Sequence, residues 1–101
     1  VNKLKEAEKV FNFVLKEDKM RKKSLSNLGL IKAQKGKISE ALKLYQEALR
    51  IDPDYKNALL NKIGLLIQLG RKTEAKSSIK HLIKKHPTYK AILEQKGIYN
   101  E

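Results

Sequence analysis

Apolar residues recur along this chain at intervals of three and four, the period of a helix that buries one face, and nowhere do they alternate as strands require. From about Lys23 to Lys35, Leu25, Leu28 and Ile31 share one stripe with the small Gly29, and Gly36 stands where a left-handed cap would close the helix. Ser39 is then the expected N-cap of a second helix, whose buried face reads Leu42, Tyr45, Ala48 and Leu49 until Pro53 forbids further helix. The pattern returns with Gly70 as the break, Thr73 as the cap, Ala75, Ile79, Leu82 and Ile83 as the face, and Pro87 as the stop.

Laying Lys22 to Tyr55 over Lys56 to Tyr89, a shift of 34 residues, gives nine identities: Lys22/Lys56, Leu25/Leu59, Asn27/Asn61, Gln34/Gln68, Gly36/Gly70, Glu40/Glu74, Ala41/Ala75, Pro53/Pro87 and Tyr55/Tyr89. The register reaches both ends. Ala7, Phe11 and Val14 fall in step with Ala41, Tyr45 and Ala48, so residues 2 to 16 read as the second helix of an earlier unit. Leu93, Gln95 and Gly97 fall in step with Leu59, Asn61 and Ile63, so residues 91 to 100 read as a first helix. The expected organisation is one array: a half repeat over 1–21, full repeats over 22–55 and 56–89, and a half repeat over 90–101.

The signature Leu25, Leu28, Gly29, Ala41, Tyr45, Ala48 and Pro53 resembles that of the tetratricopeptide repeat family. The second repeat departs from it, with Ile79 for the aromatic, Lys62 and Ile63 at the apolar and glycine positions, and Gly64 one place late. The resemblance implies an all-α, right-handed helical-hairpin solenoid of about six helices that acts as a non-enzymatic binding scaffold. First helices line a concave groove and second helices form the convex back, with small residues at the helix contacts.

By the same resemblance the groove carries Lys23, Ser26, Asn27, Leu30 and Gln34 from one repeat and Asn57, Leu60, Asn61, Gly64 and Gln68 from the next, with Glu94, Gln95 and Ile98 from the last helix. Asn27, Asn61 and Gln95 put a carboxamide at one height in each groove-lining helix. A carboxamide offers both donor and acceptor, which suits the backbone of an extended peptide, although asparagine is also simply common at this position of the family. The carboxylate clamp of chaperone co-factors is not expected, because the corresponding positions hold Ser26, Leu30, Asn61, Ala91 and Gln95 and lack its cations.

Composition adds a second candidate. The 101 residues carry a net charge of +12, and repeat 56–89 holds over half of it, eight basic residues against one acidic, giving +7. Lys72, Lys76, Lys80 and Lys84 recur every four residues, flanked by Arg71 and Lys85, a ladder that suits phosphates or an acidic partner if it is more than a solvated face. No aromatic residue interleaves with it, so a single-strand stacking platform is not indicated. Lys84 and Lys85 also suit the negative end of the helix dipole.

Catalytic chemistry finds little support. His81 and His86 lie among lysines, which disfavours a metal, and Ser77 and Ser78 near His81 are neighbours by helix spacing alone. Neither a cofactor nor a metal is expected. There is no cysteine, and no apolar run approaches the roughly 18 residues of a membrane span. The default compartment is intracellular, any targeting signal of a longer parent lying outside this stretch. A third possibility is a structural or dimerisation arm of a multidomain enzyme. The apolar residues in both terminal segments predict fraying or end-to-end pairing with another copy.

Overall fold

A computed structural model describes residues 2–99, the side chains of residues 2–4 and 11 excepted. Five helices follow one another: α1 (Asn2–Gln34), α2 (Ile38–Ile51), α3 (Lys56–Gln68), α4 (Lys72–Lys85) and α5 (Tyr89–Gln95). Consecutive helices run antiparallel and stack side by side, a helical-hairpin solenoid as the repeat implies, measuring 56 × 31 × 18 Å. No described helix is long and apolar enough to cross a membrane.

The punctuation is regular and chemical. Gly36, Gly70 and Gly97 adopt φ of 79°, 74° and 72°, and each closes its helix with the same pair of bonds. The residue after glycine donates to the carbonyl five residues back (Lys37 to Lys32, Arg71 to Leu66, Ile98 to Leu93, each 2.9 Å), while the glycine N–H donates to the carbonyl three back, at 3.0 Å. Between α2 and α3, and again between α4 and α5, proline at the second place of a tight turn reverses the chain: Tyr55 N–H donates to Asp52 and Tyr89 N–H to His86, both at 3.1 Å.

Three expected features differ. The helices expected over 2–16 and 23–35 are one helix of 33 residues, so five described helices stand where about six were expected. The cause lies one period before Pro53, where the chain has Lys19, within a run of helix formers, Glu17 to Lys23, holding neither glycine nor proline. At the other end α5 stops at Gln95, because Gly97 acts as a cap rather than continuing in step with Ile63. Ser39 and Thr73 lie inside α2 and α4, and the residues at the N-cap positions just before those helices, Lys37 and Arg71, make no side-chain cap.

The core is two abutting clusters. The first packs Ala41, Leu42, Tyr45 and Ala48 of α2 with Ala58, Leu65 and Leu66 of α3 and Ala75 of α4. The second joins Leu59 and Ile63 of α3, Ile79 and Leu82 of α4, and Leu93 of α5, with Tyr99 folded against it. Among the described residues of α1 only Gly29 and Ser26 are buried, with Leu25 half-buried, whereas Leu28 and Ile31, expected in the stripe, are exposed.

Candidate functional site

The first helices of the two hairpins, α1 and α3, meet along a depression of about 200 Å³ lined by Ser26, Asn27 and Leu30 from α1 and Asn57, Leu60 and Asn61 from α3. These six residues were all expected in the groove. Helix geometry explains the grouping, since positions i, i+1 and i+4 on α1, and i, i+3 and i+4 on α3, project to one side once the opposite side is committed to α2 or α4. Ser26, 3% exposed, forms the floor. Leu30 is exposed and Leu60 half-buried, giving the depression two apolar walls among its carboxamides. Among the described residues no hydrogen bond engages the amides of Asn27, Asn57 or Asn61.

Lys23 and Gln34 lie on the same face of α1, one turn to either side, and Gly64 and Gln68 continue the line along α3. All four are exposed and none borders the depression. Gln95, in the short α5, is exposed and is not brought to it. Gly64 is informative in another way, because a β-carbon there would meet nothing within 4 Å. Helix packing therefore gives no reason for a residue that costs helix stability.

The basic ladder of α4 is divided among different surroundings. Arg71 donates through Nε and Nη2 to Glu74, both bonds 2.9 Å. Lys85 approaches Asp54 at 3.9 Å. Lys72 and Lys76 border a cavity of about 420 Å³ with apolar walls from Ile67, Ala75, Ile79, Ile98 and Tyr99. Lys80 and Lys84 are exposed.

The two histidines have structural partners that sequence reasoning missed. His81 Nε2 lies 3.0 Å from both the Pro53 carbonyl and Asp54 Oδ1, and His86 Nε2 lies 2.9 Å from the Asp54 carbonyl. Every partner atom is an acceptor, so Nε2 donates in both rings, and the two histidines pin the preceding turn to α4. Lys22 was also missed. Its ammonium sits 2.6 Å from Asp52 Oδ2 and 4.8 Å from the centre of the Tyr55 ring, while Lys56 lies 5.8 Å over Tyr89 one period on. The identities Lys22/Lys56 and Tyr55/Tyr89 were the visible trace of this pair. The Lys22 hydrogen bond holds the Asp52 carboxyl below its ordinary range, and burial pushes the Tyr45 phenol up.

Antiparallel helix pairs stacked in a 34-residue register, with a polar trough on the first-helix side, define a helical-repeat scaffold. The chain belongs to the tetratricopeptide repeat family: one profile of that family matches residues 32–95 and a second matches residues 1–56. No curated protein matches the chain. Repeats of this family generally mediate protein–protein interaction.

Proposed function

We propose that this chain is a non-catalytic scaffold, with repeat units at 22–55 and 56–89, that holds an extended segment of a partner protein in the trough between α1 and α3. The observation that carries this reading is the convergence of Asn27, Asn57 and Asn61, three carboxamides without internal partners, around the buried Ser26. Each can donate to a carbonyl and accept from an N–H of a passing backbone, while Leu30 and Leu60 supply apolar contact beside them. Gly64, on the same face one turn along, leaves room for close approach of a ligand main chain. The electrostatic alternative loses the two ends of its ladder, because Arg71 and Lys85 face acidic residues of the chain itself, and keeps Lys72, Lys76, Lys80 and Lys84, all exposed.

A photo-crosslinking amino acid placed at Leu30 or Asn61, with Lys43 on the opposite face as control, tests the reading in the source cell. The expected result is crosslinks to a discrete protein from positions 30 and 61 only, reduced when Asn27 and Asn57 are both replaced by Ala. Equal crosslinking from position 43, or insensitivity to the alanines, removes the groove from consideration.

A further inference from the structure

The side of α1 turned away from both α2 and the trough carries Val10, Met20, Leu28 and Ile31, which are 63, 57, 44 and 46% exposed. Among the described residues nothing covers them. The following repeat shows what such a face packs against. One period after Ser24 and Ile31 stand Ala58 and Leu65 of α3, both buried in the cluster that holds Ala41 and Ala48 of α2. The equivalent face of α1 is therefore shaped for a helix like α2 lying antiparallel to it.

Residues 7 to 17 are such a helix. Ala7, Val10 and Val14 stand one period before Ala41, Leu44 and Ala48. With Lys19 in the place of Pro53, this segment runs straight on into the rest of α1 and is carried away from Leu28 and Ile31 by its own geometry. A second copy of the chain has no such restriction.

We propose that two copies of this chain pair through antiparallel α1 helices, each covering the Ser24 to Ile31 face of the other with its own residues 7 to 17. Setting the two stripes antiparallel about Lys19 places Val10 beside Leu28 of the second copy, Ala7 beside Ile31, Val14 beside Ser24 and Glu17 beside Arg21. The two-fold axis passes close to Lys19, and every contact is made twice. Charge agrees with this register, since Glu17 and Asp18 meet the guanidinium of Arg21 on both sides of the axis. So does shape: Glu17, Met20, Arg21 and Ser24 rim a shallow hollow at the centre, at the i, i+3, i+4, i+7 spacing that accepts a knob from a facing helix. Paired from Ala7 to Ile31, the two helices touch along about 36 Å. The trough between α1 and α3 lies on another side of α1, so pairing and partner binding can fail independently.

Sedimentation of the whole chain from micromolar to millimolar concentration reads the pairing, with Val10→Asp and Leu28→Lys as the variants. Both positions are exposed in the single chain, so circular dichroism should show unchanged helicity. Each variant alone is expected to dimerise at least about tenfold more weakly. Mixing the two should restore a heterodimer, in which Asp at 10 of one copy meets Lys at 28 of the other and the reciprocal contact keeps Val10 on Leu28. A monomer at every concentration, a dimer indifferent to both variants, or a mixture no tighter than its components overturns the proposal. A dimer abolished by Ile98→Asp but not by Val10→Asp also overturns it and places the contact at the C-terminal end instead.

Discussion

The ring of Tyr45 lies against the backbone of Gly29 so closely that a β-carbon on Gly29 would sit 2.7 Å from Cε1. Both residues are buried, Tyr45 to 1% exposure, and the ring is wedged between α1 and the start of the core. In an ordinary exposed helix interior, Gly→Ala stabilises by about 1 kcal/mol. Here the overlap reverses the sign. Gly29→Ala is expected to destabilise by about 1–3 kcal/mol, the usual range for an overpacked core, read from the urea midpoint at constant slope.

One period later the same contact is made with different volumes. Ile63 replaces the glycine and Ile79 the tyrosine, both buried at 3% in one cluster. Bulk has moved from the second helix to the first. Ile79→Tyr alone should therefore overpack against Ile63, and Ile63→Gly alone should leave a cavity. The double variant, Ile63→Gly with Ile79→Tyr, should be more stable than the sum of the two, with a coupling of about 0.5–3 kcal/mol measured by a double-mutant cycle. Simple additivity would show that the two side chains do not share a site.

The hairpins between Gly36 and Pro87 were legible because glycine and proline mark their ends, and both residue types act locally. The departures arise where that punctuation breaks step with the period. Lys19 in the place of Pro53 joins two expected helices, and Gly97, seven residues short of the position in step with Gly70, ends α5 early. The six residues lining the trough were readable through the family register, since helix periodicity puts them on one side. The contacts of His81, His86 and Lys22 were not, because each spans 27 to 32 residues from one helix to the turn beside it, a distance that no local pattern encodes. Leu28 and Ile31 were expected in the core because the stripe is wide, yet only the part of it facing α2 is covered.

Gly64 offers the opposite test to Gly29. A methyl group there meets nothing within 4 Å, so Gly64→Ala should raise stability by roughly 1 kcal/mol through helix propensity alone. If the position serves close approach of a bound backbone, the same substitution should weaken capture of the crosslinked partner. A stabilised variant with undiminished binding would leave Gly64 without a role in the trough.

Acid should find the Lys22 to Asp52 contact. The Asp52 carboxyl is held below its ordinary value chiefly by the Lys22 hydrogen bond, with the N–H of Asp54 and the charges of Lys22 and His86 acting in the same direction against burial. A carboxyl depressed in the folded state contributes stability that is present above its unfolded pKa, about 3.9 for an unperturbed aspartate. That contribution is lost as pH falls through the lower, folded value. Urea unfolding followed from pH 6 downward should show a fall in stability across this acidic range that is shallower in Asp52→Asn. Parallel curves for the two proteins would assign the acid sensitivity to other carboxylates.

The C-terminal closure depends on one backbone conformation. Gly97 holds φ at 72°, from which the chain returns so that the N–H groups of Ile98 and Tyr99 both reach the carbonyl of Leu93, at 2.9 and 3.3 Å. Tyr99 then packs on the cluster of Ile79, Leu82 and Leu93, and Ile98 walls the cavity beside Lys72 and Lys76. An L-residue in that left-handed region costs about 1–2 kcal/mol, and no neighbour lies within 4 Å to complicate the reading sterically. Gly97→Ala should therefore loosen residues 89–99 while leaving 38–85 unchanged, because the bonds made at the Gly97 turn stay within residues 93–99 and repeat units can open locally. Hydrogen exchange resolved by peptide should show protection lost across α5 alone. Unaltered protection there would mean that Tyr99 is held by its packing and not by the glycine turn, whereas an equal loss across all five helices would make the fold-back part of the cooperative core.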